Sequence, residues 1–277
     1  ANSVYGKSND KFSFLYDSAY TISTTISGQA SLAMLVESIG EISDCKLISA
    51  NTDSVTVIIH RDNLDIFEKT CKDWEQHTGL SLEETTYTRA FIRDVNSYIA
   101  LKDMNGKVCG KCNNYFIDCD ECKAIKHKGC FEKDKLLHKD PSARIVPLAI
   151  EKYVIHKIPI EETINNHSVI WDFLLRKKFK KTSKGMYSSM KNGKEVIEKA
   201  QKVERYYVAN SNTGKVFGKY YSSGKKSIIE KKWFCCEAND IRSENAFDYN
   251  INRRYYIERA YKIIDCVEKN RVQLSLF

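Results

Sequence analysis

The sequence predicts an α+β fold: an antiparallel sheet with helices on one face, followed by a mixed, largely helical region and a small cysteine-rich insert. Three observations carry this. Apolar stripes at helical spacing flank a short β-branched hairpin, a long stretch near residues 82–102 alternates as a strand does, and the chain closes on an amphipathic helix.

Taken in order, Leu32, Leu35, Val36 and Ile39 recur at i, i+3, i+4 and i+7 and are followed by Gly40, which predicts a helix over residues 19–39. From Leu47 to Ile59 two β-branched segments flank Asn51-Thr52-Asp53-Ser54, which predicts a hairpin with one carboxylate at its tip. Leu64, Phe67, Cys71 and Trp74 then recur at helical spacing between a capping Asn63 and Gly79. Residues 82–102 read as extended with a bulge, and Asn105-Gly106 supplies a turn within Met104-Asn105-Gly106-Lys107. Beyond residue 131 the composition changes. Pro141, Pro147 and Pro159 punctuate helical stretches at Ile145–His156 and Ile160–Asn165, an aromatic, β-like region runs to about Phe234, and a last helix runs from about Asp248 to Lys269 with Ile251, Tyr255, Ile263, Ile264 and Val267 on its apolar side. The expected divisions are therefore 1–130, 131–270 and a tail, 271–277.

Composition narrows the class of function. The 277 residues are 42% hydrophobic and 29% charged, which describes a globular chain, and no apolar run approaches the ~20 residues that span a bilayer. Nor does the chain open on a charged-then-apolar targeting segment. It opens on Ala1 rather than methionine, which suggests a fragment, a processed piece or a trimmed record. The net charge of +8 is concentrated: Arg176, Lys177, Lys178, Lys180, Lys181, Lys184, Lys191 and Lys194 fall in a stretch with no acidic residue. Aromatic residues follow at Tyr187, Tyr206, Tyr207, Phe217, Tyr220 and Tyr221. Cations mixed with aromatics suit nucleic acid, through phosphate contacts and stacking.

Four of the 10 cysteines form Cys109-x2-Cys112 and Cys119-x2-Cys122. Without a secretory signal, paired CxxC units favour a metal over disulfides, and four thiolates suit one tetrahedral structural Zn²⁺. His127 or Cys130 is an alternative ligand for one of them. Reduced thiols without metal, or an iron–sulfur cluster, remain alternative readings. Lys111, Lys123, Lys126 and Lys128 surround the insert and suggest a contact with DNA backbone.

Several of these segments together resemble the C-terminal part of a family B DNA polymerase of the phage type. Asn2-Ser3-Val4-Tyr5-Gly6 resembles the end of the fingers motif, with its Asn-Ser-x-Tyr-Gly core. Asn51-Thr52-Asp53-Ser54 resembles the palm motif Asp-Thr-Asp-Ser on its hairpin. Arg93-Asp94-Val95-Asn96-Ser97-Tyr98 stands where the family has a Lys-x-Tyr element that contacts the primer–template duplex, and Lys139 to Pro147 resembles the start of the thumb. The resemblance covers nearly the whole chain and implies palm and thumb, template-directed nucleotidyl transfer in DNA replication, and a bacterial host cytoplasm as the location.

Two-metal nucleotidyl transfer needs carboxylates that bridge the ions. The resemblance implies that Asp53 is one of them and binds Mg²⁺, with Asn51, Thr52 and Ser54 shaping the turn. It implies that Asn2, Tyr5 and Gly6 face the incoming deoxynucleoside triphosphate, and that Arg93, Asn96 and Tyr98 contact DNA. Asn51 departs from the family's Asp, and Asn96 from its Lys. The other carboxylate, the exonuclease and most of the fingers belong upstream in the family, so the chain is expected to need an N-terminal part and to be inactive alone. Gln273-Leu274-Ser275-Leu276-Phe277 resembles the short peptide that docks polymerases on a sliding clamp; the alternative is a frayed helix end. The alternative for the whole chain is a non-enzymatic, zinc-stapled nucleic-acid-binding protein with that docking tail. A reverse transcriptase fits less well, because the hairpin lacks paired aspartates.

Overall fold

A computed structural model describes residues 2–103, 124–133, 142–179, 183–211, 216–221, 226–230, 233–239 and 241–269. It is an α+β chain, as the sequence predicts. The chain divides into two compact units, Ala1–Thr85 and Thr86–Phe277, earlier than the change in composition near residue 131. Residues on both sides of 131, from Ile99 and Phe131 to Ile145 and Ile150, share one core.

In the first unit, α1 (Asn2–Ser8) is followed by α2 (Ser18–Gly40), the hairpin strands β1 (Cys45–Asn51) and β2 (Ser54–Ile59), and α3 (Leu64–Thr78). Asp17 caps α2 by accepting from the Tyr20 amide at 3.0 Å. The α2 stripe works as predicted, since Leu35 and Ile39 are buried and meet Trp74, Phe67 and Cys71 of α3 and Cys45, Val55 and Val57 of the hairpin. Trp74 also donates its indole N–H to the Ser31 carbonyl at 2.8 Å, which ties α3 to α2. Leu64 departs from its stripe: it lies at the solvent-facing start of α3. Asn63 departs from its expected role as well. It stands at the N-terminus of α3 without capping it through its side chain, and its amide donates to the Ser43 carbonyl instead.

The second unit begins with a three-stranded antiparallel sheet, β3 (Tyr87–Asp94), β4 (Ser97–Lys102) and β5 (Ile125–Lys128), with β4 central. The stretch read as one long extended segment therefore folds back at Val95-Asn96, and its irregular register accounts for the imperfect alternation. Asn96 makes this turn possible with Asp94, whose carboxylate accepts the Asn96 amide at 2.9 Å. The expected turn at Asn105-Gly106 lies outside the described residues.

Helices α4 (Ile145–His156) and α5 (Ile160–Asn166) follow. Pro147 sits in the first turn of α4, where no backbone donor is needed. The region expected to be largely helical then carries a seven-stranded antiparallel sheet: β6 (Leu175–Lys178), β7 (Ser183–Lys191), β8 (Lys194–Lys199), β9 (Val203–Ala209), β10 (Val216–Tyr221), β11 (Lys226–Ile228) and β12 (Phe234–Glu237). Its order is β6-β9-β12-β10-β7-β8, with β11 on β10. Tyrosine and β-branched residues outweigh the lysines here, because each tyrosine ring has apolar area to bury. Asn192 and Gly193 both take positive φ and close the β7–β8 hairpin, the residue pair that such a turn favours.

The last helix, α6, spans Arg253–Lys269 and so starts later than expected; Ala246–Asp248 forms a separate 3₁₀ turn. Tyr256, Ala260, Ile264 and Val267 form its buried stripe. The Tyr256 hydroxyl, fully inside the core, donates to the Phe173 carbonyl at 2.7 Å and accepts the Val208 amide at 3.1 Å. Both of its polar needs are met, so the ring can be buried without leaving an unpaired hydroxyl.

Candidate nucleic-acid interface

The hairpin in the first unit places the acidic side chain where the sequence puts it. Asn51 pairs with Ser54, so Thr52 and Asp53 alone form the turn, and Asp53 is exposed at the tip. Neither turn residue has positive φ. The turn is thus not the mirror-image form whose twist matches the strands, and the register shift between Leu47 and Ser49 lies a few residues away. The Thr52 hydroxyl donates to the Asn51 side-chain oxygen at 3.1 Å. One carboxylate, one amide oxygen and two hydroxyls are hard oxygen donors of the kind Mg²⁺ takes. They do not by themselves complete a two-ion site. Among the described residues no three His, Cys, Asp or Glu side chains gather into a group able to hold a metal ion.

Tyr5 and Gly6 lie in α1. The Tyr5 hydroxyl shares a hydrogen bond with Thr25 of α2 at 3.0 Å. Ser8, almost fully buried, bonds the Tyr5 carbonyl and Thr21, and so clips α1 onto α2. A Cβ on Gly6 would meet nothing within 4 Å, so the backbone is open to approach there. The Asn2 side chain lies outside the described residues.

In the second unit, the predicted DNA contacts separate by sheet face. Pairing sets Tyr98 opposite Ile92 and Lys128, Ala100 opposite Ala90 and Lys126, and Lys102 opposite Tyr87. These positions form one face of β3-β4-β5. The other face carries Ile99, Leu101 and Ile125 into the core. Lys128 Nζ lies 5.7 Å from the centre of the Tyr98 ring, and Lys126 Nζ lies 5.9 Å from the centres of both Tyr98 and Tyr87. Lys126 also donates to the Tyr87 hydroxyl at 3.2 Å. Burial pulls the Lys126 pKa down, but its contacts with Tyr87 and Tyr98 outweigh this and leave it raised, so the ammonium stays charged. Lys126 is among the lysines that the sequence places around the insert as a contact for DNA backbone, whereas Tyr87 is not among the expected contacts; its place on this face depends on pairing with Lys102 in the next strand.

Arg93 and Asn96 sit at the β3–β4 turn. Arg93 is paired loosely with Asp94 at 3.9 Å, and the neighbouring Cys130 raises its pKa. Behind the basic face, His127 turns inward to Glu151 of α4, which also binds Lys133 at 2.9 Å; all three side chains are largely buried. This ion cluster fastens β5 to the helix.

The basic block is split. Arg176, Lys177 and Lys178 form β6, whose alternation sends Arg176 and Lys178 to one face and Lys177 to the other. Lys177 pairs with Glu204, while Arg176 pairs with Arg205, so the Arg176 face concentrates like charge and the Lys177 face does not. Lys180 and Lys181 lie outside the described residues. So do Cys109, Cys112, Cys119 and Cys122, and the tail Gln273, Leu274, Ser275, Leu276 and Phe277.

Among the described residues no helix is long and apolar enough to cross a membrane. No protein-family model matches the chain, and no curated protein matches it.

Proposed function

We propose that the chain is the palm and thumb portion of a DNA-directed DNA polymerase, which transfers a deoxynucleotide to a primer 3′-hydroxyl on a template. The observation that carries this reading is the hairpin, whose two-residue turn exposes Asp53 between Asn51 and Ser54. In this reading Asp53 holds Mg²⁺, and the ions stabilise the attacking and leaving oxygens. One carboxylate is not enough for two ions, so the second comes from a larger chain or from a complex, and these 277 residues alone do not polymerise. Tyr5 and Gly6 border the nascent base pair, and Tyr98 and Lys128 hold the primer–template. Cys109, Cys112, Cys119 and Cys122 bind one structural Zn²⁺, read by metal analysis as near-unit stoichiometry. The tail from Gln273 to Phe277 docks a sliding clamp, and its deletion abolishes clamp capture. The site of action is the cytoplasm of a bacterial host.

The test is Asp53→Ala in the polymerase reconstituted with its upstream part. Primer extension is lost while duplex binding persists. Unchanged extension refutes the reading. A second reading, a non-enzymatic nucleic-acid-binding protein, is favoured by the Tyr98–Lys128 face, which needs no catalytic hairpin to bind an anion. It predicts that Asp53→Ala changes only the affinity for DNA.

A further inference from the structure

The open face of the β3-β4-β5 sheet has an arrangement more specific than positive charge. Lys126 and Lys128 alternate along β5 with Ile125 and His127, which point the other way into the core and toward Glu151. Two residues apart on a strand, their Cα atoms are about 6.6 Å apart. That is comparable with the separation of neighbouring phosphates along one nucleic-acid strand. Lys102 stands on the same face, opposite Tyr87, and no Asp or Glu occupies the paired positions Tyr87, Ala90, Ile92, Tyr98, Ala100, Lys102, Lys126 and Lys128. Ala90 and Ala100 keep the middle of this face low, between raised Tyr and Lys side chains.

The aromatic rings are engaged by cations. Both ammonium groups lie within 6 Å of the Tyr98 ring centre, and Lys126 is also held by the Tyr87 hydroxyl. A lysine on a free four-carbon stem loses side-chain entropy when it binds a phosphate; one already resting on a ring loses less. The rings are thus platforms for the cations and are not presented for stacking against bases.

We infer that Lys126 and Lys128, pre-positioned on Tyr98 and Tyr87, grip two successive phosphates of one strand of duplex nucleic acid without reading its sequence. This rests on the nucleic-acid part of the proposed function and adds the binding mode. Binding is measured without catalysis, so a failure of Asp53 to matter in synthesis leaves it standing.

The experiment titrates the full 277-residue chain with a fluorescent DNA duplex by anisotropy across a salt series, for the wild type and for Lys126→Gln/Lys128→Gln. Each phosphate contact contributes about 0.9 to the slope of log affinity against log salt, so the double variant's slope should be shallower by about 1.8. Duplexes of different sequence should bind alike. A retained thermal transition shows that the double variant is folded. An unchanged slope in the double variant overturns the inference. So does an affinity for single strands that exceeds the duplex and follows base-stacking strength, since the rings would then be stacking platforms.

Discussion

A Cβ placed on Gly129 would lie 2.1 Å from the backbone oxygen of Asn96 and 2.5 Å from the Ser97 hydroxyl. The end of β5 is pressed directly onto the β3–β4 turn, and φ of +67° at Gly129 makes the approach possible. Asn96, which stands where the resemblance expects a lysine, forms the floor against which the strand carrying Lys126 and Lys128 ends.

Gly129→Ala should therefore unfold more readily. The left-handed backbone costs about 1–2 kcal/mol for a residue with a Cβ, and relief of the contact adds to it. We expect a loss of about 2 kcal/mol or more in urea unfolding. An unchanged midpoint would show that the turn yields freely.

Glu151 should make stability fall in acid. Burial raises its pKa, but His127 and Lys133 more than offset this and hold the carboxyl below its ordinary 4.5. A folded pKa below the unfolded one gives stability that is fully present above about pH 4.5 and is lost as pH falls through the folded value. Glu151→Gln should remove this acid dependence. It should also cost about 3 kcal/mol near neutrality, because it strands buried positive charge. Denaturant titrations at several pH values check both.

Arg253 lies over the rings of Phe173 and Phe247, at 5.0 and 4.5 Å, and donates to the carbonyls of Ile164 and His167. Only a planar guanidinium stacks and forks in this way. Arg253→Lys should lower stability by about 1–2 kcal/mol, read as a fall in Tm.

Asp53→Ala should leave folding within about 0.5 kcal/mol of wild type, because the side chain is an exposed turn residue. Calorimetry beside the primer-extension assay separates lost chemistry from lost structure. A large drop in Tm would mean that Asp53 supports the hairpin.

Local pattern made much of this chain legible. The stripe through Leu35 and Ile39, the hairpin tip at Asp53 and helix α4 from Ile145 to His156 each depend on side chains near in sequence. The turn at Val95-Asn96 was missed because it carries no glycine and depends on an Asp94 carboxylate; its closeness to Gly129 is a contact across more than thirty residues. The extent of the seven-stranded sheet was underestimated for a related reason. Lysine-rich segments such as Leu175–Lys178 become strands only when a partner strand is present.

By itself, then, the sequence determined the fold class, the positions of several helices and the exposed acidic tip, since helical periodicity and turn chemistry are encoded within a few residues. Tertiary structure alone decided which lysines share a face with Tyr98, which histidine turns inward to Glu151, and where the chain divides. Strand pairing joins distant segments, and a register shift of one residue would exchange the two faces.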